Sequence, residues 1–486
     1  MQSSSQSLYR VAEIRQAERI AIEDLHMPGL QLMRSAGQAA FTILRQRWPD
    51  AHSLRVFCGA GNNAGDGYVV ARLALQAGYA VEVYSAAAVE NLTGDALISY
   101  QDFIDEGGKI ASFNTEIKLN AVIVDALLGT GLNRQVSEEY AALIEFINRA
   151  KCPVLAIDVP SGLHADTGNV MGCAVKADVT VSFIGLKCGL FTGEAAEYCG
   201  DILCSNLQVP ESVFLKLAVA ANLFSKAALA ARPRNAHKGN FGHVLLVGGN
   251  LGFSGAIRLA GEAALRSGAG LVSIASRVEH VGFLNMGRPE LMCHGVESVA
   301  QLTALLHKAS VIVIGPGLGQ DAWGQMLWSA VLASDKTCVV DADALNLLAK
   351  QPVFRENWIL TPHPGEAARL LGASSREIAA DRFAAVKNLQ MQYGGVSLLK
   401  GAGSLIADQQ AVFVSATGNP GMASGGMGDV LAGMIGGLVA QGLSLIEATK
   451  LAVYVHGEAA DCAAAENGER GLLASDLLPK IRELLN

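Results

Sequence analysis

Short runs of aliphatic and β-branched residues alternate along the whole chain with stretches of helical periodicity, and this alternation restricts the possible folds more than any other feature. LRVFC (54–58), AVEVY (80–84), AVIVD (121–125), PVLAID (153–158) and VTVSF (179–183) read as buried strands. Amphipathic pieces such as YVVARLALQAG (68–78) and residues 138–150 lie between them. A second series follows: HVLLVGG (243–249), GLVSIAS (270–276), SVIVIG (310–315), TCVVDAD (337–343) and VSLLKG (396–401). Strand–helix–strand order implies a parallel sheet with helices on both faces, because each crossover must travel back over the sheet. The expected class is therefore α/β.

Between the two series, residues 207–242 carry Pro210 and Pro233 and show no strand pattern. The boundary is expected within 212–228, which gives domains over 1–215 and 225–486. Hydrophobic residues make up 51% of the chain and charged ones 17%, enough apolar surface to exclude general disorder. The 37 basic and 45 acidic side chains leave a net charge of −8, the wrong sign for a nucleic-acid partner. No membrane partner is expected either: the longest uncharged apolar stretch, 430–445, contains glycines and a glutamine and falls short of the ~20 residues of a span. Charges near the N-terminus stand where a signal peptide has its apolar run. The nine cysteines include no CxxC pair and do not form a zinc or disulfide framework. These features point to the cytoplasm.

GAGNNAGDG (59–67) sits between a strand and a helix. Taken as Gly59-x-Gly61-x-x-Ala64 it satisfies the Rossmann pattern, in which backbone amides and a helix N-terminus hold a pyrophosphate. A purely structural glycine turn is the plainer alternative. Asn62, Asn63 and Asp66 add polar groups in this loop, at the carboxyl end of a strand where open α/β sheets bind ligands. Two more strands end alike: AVIVD leads through Asp125 into ALLGTGLNRQ, and PVLAID leads through Asp158 into VPSGL with Ser161. Neighbouring loops would gather Asn63, Asp125, Asp158 and Ser161 around one pocket. These are oxygen donors, suited to a hard cation rather than to zinc. Alternatively, each aspartate only caps its own turn.

GAGNNAGDG, DALLGTGL and AIDVPSG resemble the signature loops of the NAD(P)H-hydrate epimerases, the YjeF N-terminal-like domain, over roughly residues 8–212. The resemblance implies a Rossmann-like fold that interconverts the R and S epimers of hydrated NAD(P)H. It implies that the nucleotide is held by Asn62, Asn63, Ala64, Gly65 and Asp66, together with Gly129, Thr130, Gly131, Leu132, Asn133, Arg134 and Gln135. Asn63, Asp125 and Ser161 would coordinate K+, and Asp158 would bind and act on the reacting ring. Such chemistry needs proton transfer and stabilisation of a cation-like ring, for which a carboxylate is suited. Lys187, in FIGLKCGLFTG, could reach the same site or lie on the surface. Ala64 departs from the family's usual glycine, and its methyl could crowd a backbone–phosphate approach.

In the second half, GNPGMASGGMGDVLAG (418–433) carries the chemistry. Gly425, Gly426, Met427 and Gly428 lead into a helix expected to start near Asp429, which aims free amides at one spot and makes an anion site. Asp429 at that end could accept a proton from a substrate hydroxyl while the amides stabilise a transferring phosphoryl group. A simple N-cap is the alternative. No GxxxxGK[ST] loop is present, so a P-loop NTPase is excluded.

GGMGD before a helix resembles the ribokinase-like superfamily. With HKGNFG, GFSGA, GPGLG, DADALN, TPHPGE and KGAGS it is similar to the ADP-dependent NAD(P)H-hydrate dehydratases over about 225–486. The implied fold is a ribokinase-like α/β sandwich beside the N-terminal Rossmann-like sheet. Ala256, Gly319 and His363 would contact the hydrated dinucleotide, with a satisfied structural histidine as the alternative for His363. Lys400, Gly401, Ala402, Gly403 and Ser404 would bind ADP, as would Asn419, Gly421, Gly425, Gly426, Met427 and Gly428. Asp429 would bind and activate the hydrate's hydroxyl, and Lys238 is a candidate phosphate partner. The implied reaction is phosphorylation of the hydroxyl by ADP, giving AMP, and then loss of phosphate; Mg2+ is a further expectation for this site. A homo-oligomer is expected. A ribokinase-like vitamin or sugar kinase with an accessory Rossmann-like domain is the alternative, and a nucleotide-binding scaffold is another. The scaffold has no use for Asp429 as a base.

Overall fold

The computed structural model describes residues 5–113 and 121–486. Packing divides the chain between Ala221 and Asn222, with Ser7–Ala221 in one compact unit and Asn222–Asn486 in the other.

The first unit is built on a six-stranded parallel sheet in the order Ala80–Ser85, Ser53–Cys58, Val122–Ala126, Val154–Ile157, Val179–Phe183, Asp201–Ser205. From Ser53–Cys58 the chain first steps to one side, then returns to place Val122–Ala126 on the other. That reversal opens a crevice at the carboxyl ends of these two strands, which is where doubly wound sheets bind ligands. The central strands are fully buried, as their unbroken apolar sequences require. Helix Asn62–Gln76 packs against Ser53–Cys58 and closes the crevice from one side. It begins earlier than expected, so Asn62–Asp66 are its first residues rather than a loop, with Gly61 as the N-cap.

The second unit repeats the logic with more strands. Its sheet runs Leu291–Gly295, Leu271–Ser276, His243–Val247, Val311–Ile314, Thr337–Val340, Trp358–Leu360, Val396–Leu399, Leu405–Ala407, Val412–Val414, Ala221–Phe224. The order reverses at His243–Val247, again bringing two glycine loops together. Pairing is parallel up to Val396–Leu399, and then Leu405–Ala407 and Val412–Val414 add an antiparallel hairpin. Strand Ala221–Phe224 lies inside the segment read as strandless. It joins parallel to Val412–Val414 through only two residue pairs, too short a run for periodicity to reveal.

Helix Met427–Ala440 lies against helix Ser254–Arg266 with almost no side-chain spacing. A Cβ on Gly433 would fall 2.0 Å from the carbonyl oxygen of Ala260, and one on Gly437 would fall 2.3 Å from Ser267 Oγ. Glycine here sets the helix separation. This helix also starts two residues before Asp429, with Gly426 at φ +94° as its N-cap, so Asp429 belongs to the first turn. Among the described residues, no helix is long and apolar enough to cross a membrane.

Candidate active sites

At the crevice of the first unit lies an open cavity of ≈ 470 Å³. Its wall is formed by Asn62, Asn63 and Asp66 from helix Asn62–Gln76, by Gly129–Arg134 from the next loop, and by Asp158 and Lys187. Most of the residues expected to hold the nucleotide therefore meet. Three do not reach the cavity. Ala64 is fully buried in the apolar core, so its methyl points away from any phosphate approach. Gly65 packs against Met33, whose Sδ would lie 2.5 Å from a Cβ there. Gln135 turns toward Gly172. The first two follow from the helix starting at Asn62, which turns Ala64 and Gly65 toward the protein interior.

Asp125 and Ser161 come together, but one layer beneath the cavity. Ser161 donates its Oγ–H to Asp125 Oδ1 at 2.5 Å and its backbone N–H to Asp125 Oδ2 at 2.8 Å. Leu128, which does line the cavity, donates its N–H to Ser161 Oγ at 2.8 Å. Burial pushes the Asp125 carboxyl up to about 6, against the hydrogen bonds from Ser161 and Leu127, and no basic side chain contributes to its titration. A fully buried carboxylate without a cationic partner among the described residues is balanced either by its own proton or by a bound cation. Asn63, whose Nδ2 is buried without a partner among the described residues, stands in the cavity wall beside Gly129.

Asp158 has φ +66°, a left-handed backbone that costs energy for a residue with a Cβ and that clusters at functional sites. The strain is held by its surroundings: Asp158 N–H donates to Val181 O at 2.8 Å, and its carboxylate accepts from Phe183 N–H at 3.2 Å and from the Lys187 ammonium. Lys187 is 1% exposed, so the surface alternative is wrong for this lysine. The sequence reading missed Glu18, on helix Val11–Glu23, which lines the same cavity; burial and then Asp158 raise its carboxyl. Its only sequence signal was an acid on the inward face of a helix that precedes the first central strand.

In the second unit the reversal brings together the first turn of helix Ser254–Arg266, which holds Ala256, and the loop holding Gly319. Asn250 N–H donates to Gly317 O at 2.6 Å, and Gly319 at φ +74° donates its N–H to Asp343 Oδ2 at 2.9 Å. A Cβ on Gly317 would lie 2.6 Å from the Phe253 Cβ and 3.4 Å from the Ala256 Cβ, so glycine fits a corner formed by Phe253 and Ala256. His363 is the N-cap of helix Pro364–Leu371: its Nδ1 accepts from Gly365 N–H at 3.0 Å, while its own N–H donates to Glu366 Oε2 at 2.9 Å. Nε2 of this half-exposed ring faces Glu366 Oε1 at 3.4 Å.

Lys400 leads the KGAGS loop, but its ammonium points inward. It bonds Asp341 Oδ1 at 2.8 Å, shares that oxygen with Thr361 Oγ1 at 2.8 Å, and lies 3.3 Å from where a Cβ on Gly428 would be. Burial lowers the Lys400 pKa, yet Asp341, Glu366 and Asp429 outweigh it and the net shift is upward. Burial, then Asp341, push the Asp429 carboxyl up to about 7, with Lys400 opposing. Asp341 and Glu366 were visible only as letters within DADALN and TPHPGE, and their convergence on one lysine could not be read from spacing.

The rest of the KGAGS loop is self-bonded, with Ser404 Oγ donating to Gly401 O at 3.0 Å and the buried Arg382 bracing it from behind through the Lys400 and Gly403 carbonyls. Ala402 sits at its exposed tip. Asn419 caps Gly421 N–H and is tied by Nδ2 to Asp461 at 2.8 Å. Gly425 is exposed, Gly426 forms the turn, and the first-turn amides of Met427 and Gly428 have no intrahelical acceptor. Lys238 lies exposed on the short turn Lys238–Phe241.

Two family models match this chain: YjeF-related protein N-terminus over residues 29–189, and NAD(P)H-hydrate dehydratase over residues 244–483. A ribokinase-like superfamily protein from Enterococcus faecalis superposes with a TM-score of 0.50 at 34% identity, covering 52% of this chain and 90% of its own. The bifunctional NAD(P)H-hydrate repair enzyme Nnr of Coxiella burnetii is 50% identical over 485 residues, 99% of each chain. Its Escherichia coli counterpart is 44% identical over 98% of this chain and 93% of its own. With two matched domains and relatives similar from end to end, this chain belongs to the family of bifunctional NAD(P)H-hydrate repair enzymes.

Proposed function

We propose that residues 1–215 epimerise the R and S forms of NAD(P)H hydrate and that residues 225–486 dehydrate the S form to NAD(P)H at the expense of ADP. One observation carries this reading: in each unit an aspartate at the carboxyl end of a central strand pairs with an ammonium, and one partner of each pair is fully buried, Lys187 against Asp158 and Asp341 against Lys400 beside Asp429. In the first unit the Asp158 carboxylate faces the reacting ring and stabilises the cation formed when the hydroxyl leaves. The amides of Asn62 and Asn63 and the loop Gly129–Arg134 hold the phosphates. Asn63, Asp125 and Ser161 would hold K+, whose charge would balance the buried Asp125.

In the second unit Asp429 takes the proton of the hydrate's hydroxyl as that oxygen bonds to the β-phosphorus of ADP. The phosphorus–oxygen bond to AMP breaks, and phosphate then leaves with the former carbon–oxygen electron pair, a better leaving group than hydroxide. The ring loses a proton, restoring NAD(P)H. The first-turn amides and the Lys400 ammonium stand where the charge of the transferring phosphoryl develops. Among the described residues no three His, Cys, Asp or Glu side chains form a metal cage, so Mg2+ would arrive on the nucleotide's phosphates. We place the enzyme in the cytoplasm as a homo-oligomer, its nine cysteines forming no disulfide.

The test is to give the purified chain both hydrate epimers with ADP or with ATP. Return of the near-ultraviolet absorbance of reduced nicotinamide from both epimers with ADP supports the reading. Persistence of both epimers with either nucleotide overturns it.

A further inference from the structure

We infer that Asp66 is the proton donor of the N-terminal site, giving its proton to the departing hydroxyl of the hydrate. The inference rests on the epimerase reading and assigns the acid that the reaction needs beside Asp158.

The geometry begins with what Lys187 has already given away. Its three N–H bonds go to Asp158 Oδ1, to Ser182 Oγ at 3.1 Å and to Phe183 O at 2.8 Å. An ammonium has no fourth donor. Asp66 lines the cavity at 9% exposure, and no described residue donates a hydrogen bond to its carboxyl. Glu18 and Asp158 line the same cavity. An ionised Asp66 would be a buried charge beside Asp158 and Glu18, with no donor to its carboxyl among the described residues and only the already committed Lys187 to oppose them, and such a group neutralises instead. Burial first, then Asp158 and Glu18, accordingly hold its carboxyl well above the usual carboxylate range, with Lys187 opposing. Asn63, 9% exposed in the same wall with an unpartnered Nδ2, marks this side of the cavity as built for a ligand.

The two carboxyls then have different roles although both are acidic residues. Asp158, paired with Lys187, is the fixed anion. Asp66 keeps its proton. In the reaction the carbon–oxygen bond breaks with its electron pair on oxygen, the Asp66 proton turns that oxygen into water, and the ring nitrogen's lone pair forms an iminium cation opposite Asp158. Water adds to either face and returns a proton to Asp66. The site ends as it began, and no other reactant is consumed.

In the full-length chain, Asp66→Asn is expected to slow epimerisation about 100-fold while ADP-driven dehydration of the S epimer stays unchanged, which reports that the chain is folded. A structural role alone would not produce two further signatures. The wild type in isotopically labelled water should place solvent oxygen on the epimerised hydrate, and the Asp66→Asn rate should rise linearly with added imidazolium buffer as an external acid. Asp66→Glu, which keeps the carboxyl, is expected to recover part of the rate. Epimerisation by Asp66→Asn within threefold of wild type overturns the assignment, as does epimerisation without uptake of solvent oxygen. An Asp66→Glu variant as slow as Asp66→Asn, with no response to imidazolium, also overturns it. A wild type that dehydrates the S epimer but never epimerises the R form removes the epimerase reading itself.

Discussion

Asp429 and Lys187 show how burial turns ordinary side chains into committed ones. A base must be ionised to accept a proton, and burial lifts Asp429 to about 7. The dehydration rate is therefore expected to climb with pH and level off above about 7, a profile to be measured with saturating ADP. Asp429→Asn should cost about 10²- to 10⁴-fold in dehydration and leave epimerisation intact. The same substitution has a second consequence through linkage. A carboxyl with a raised native pKa favours the fold while protonated, and that contribution is lost as pH rises through its folded value. Asp429→Asn should thus melt above wild type at pH 8, with the gap closing as pH falls below about 7; calorimetry at both pH values checks the sign. Lys187→Ala acts oppositely. It strands the Asp158 carboxylate at a strained, mostly buried backbone position and should destabilise the first unit by about 3 kcal/mol, read from denaturant unfolding.

At the scale of elements, the central strands were legible because burial on both faces writes an unbroken apolar run. Val179–Phe183 coincides with its expected span, and Val122–Ala126 and Val154–Ile157 shift by a residue or so at an end. What the sequence hid was the periphery. Asp201–Ser205 is a largely exposed edge strand with little apolar signature, and Leu405–Ala407 and Val412–Val414 are only three residues each. Helix starts were hidden for a different reason. GAGNN and SGGMG read as loops because glycine and asparagine are poor helix formers, yet the first turn of a helix tolerates them where amides must stay open to a ligand. The site was legible as loops and their order, whereas its inward pairings were not: Glu366 and Asp341 on Lys400, and Glu18 beside Asp66, depend on tertiary approach. The helix pair Ser254–Arg266 and Met427–Ala440 offers a test at this scale. Gly433→Ala must push the two backbones apart, and we expect a loss of about 3 kcal/mol with a raised KM for ADP, because the displaced helix carries the anion site at its N-terminus.

For the whole molecule, two sites on two compact units give one chain both halves of a task. A dehydratase that consumes a single epimer leaves the other to accumulate, and an epimerase on the same chain prevents this by keeping the pool mixed. If each unit works on its own, Asp158→Asn and Asp429→Asn chains mixed in equal amounts should together clear both epimers with ADP, although each alone leaves hydrate behind. Chromatography of the residual epimers provides the measurement. Failure of the mixture would mean that the product of one site reaches the other only within a single chain. The bare backbone contact between Gly433 and Ala260 also bears on how such a chain can change over generations. Every single-base change in the first two positions of a glycine codon introduces a larger residue or stops the chain. The helix that presents Asp429 therefore has no small step available along that seam, and drift in this protein must be taken up by surfaces far from it.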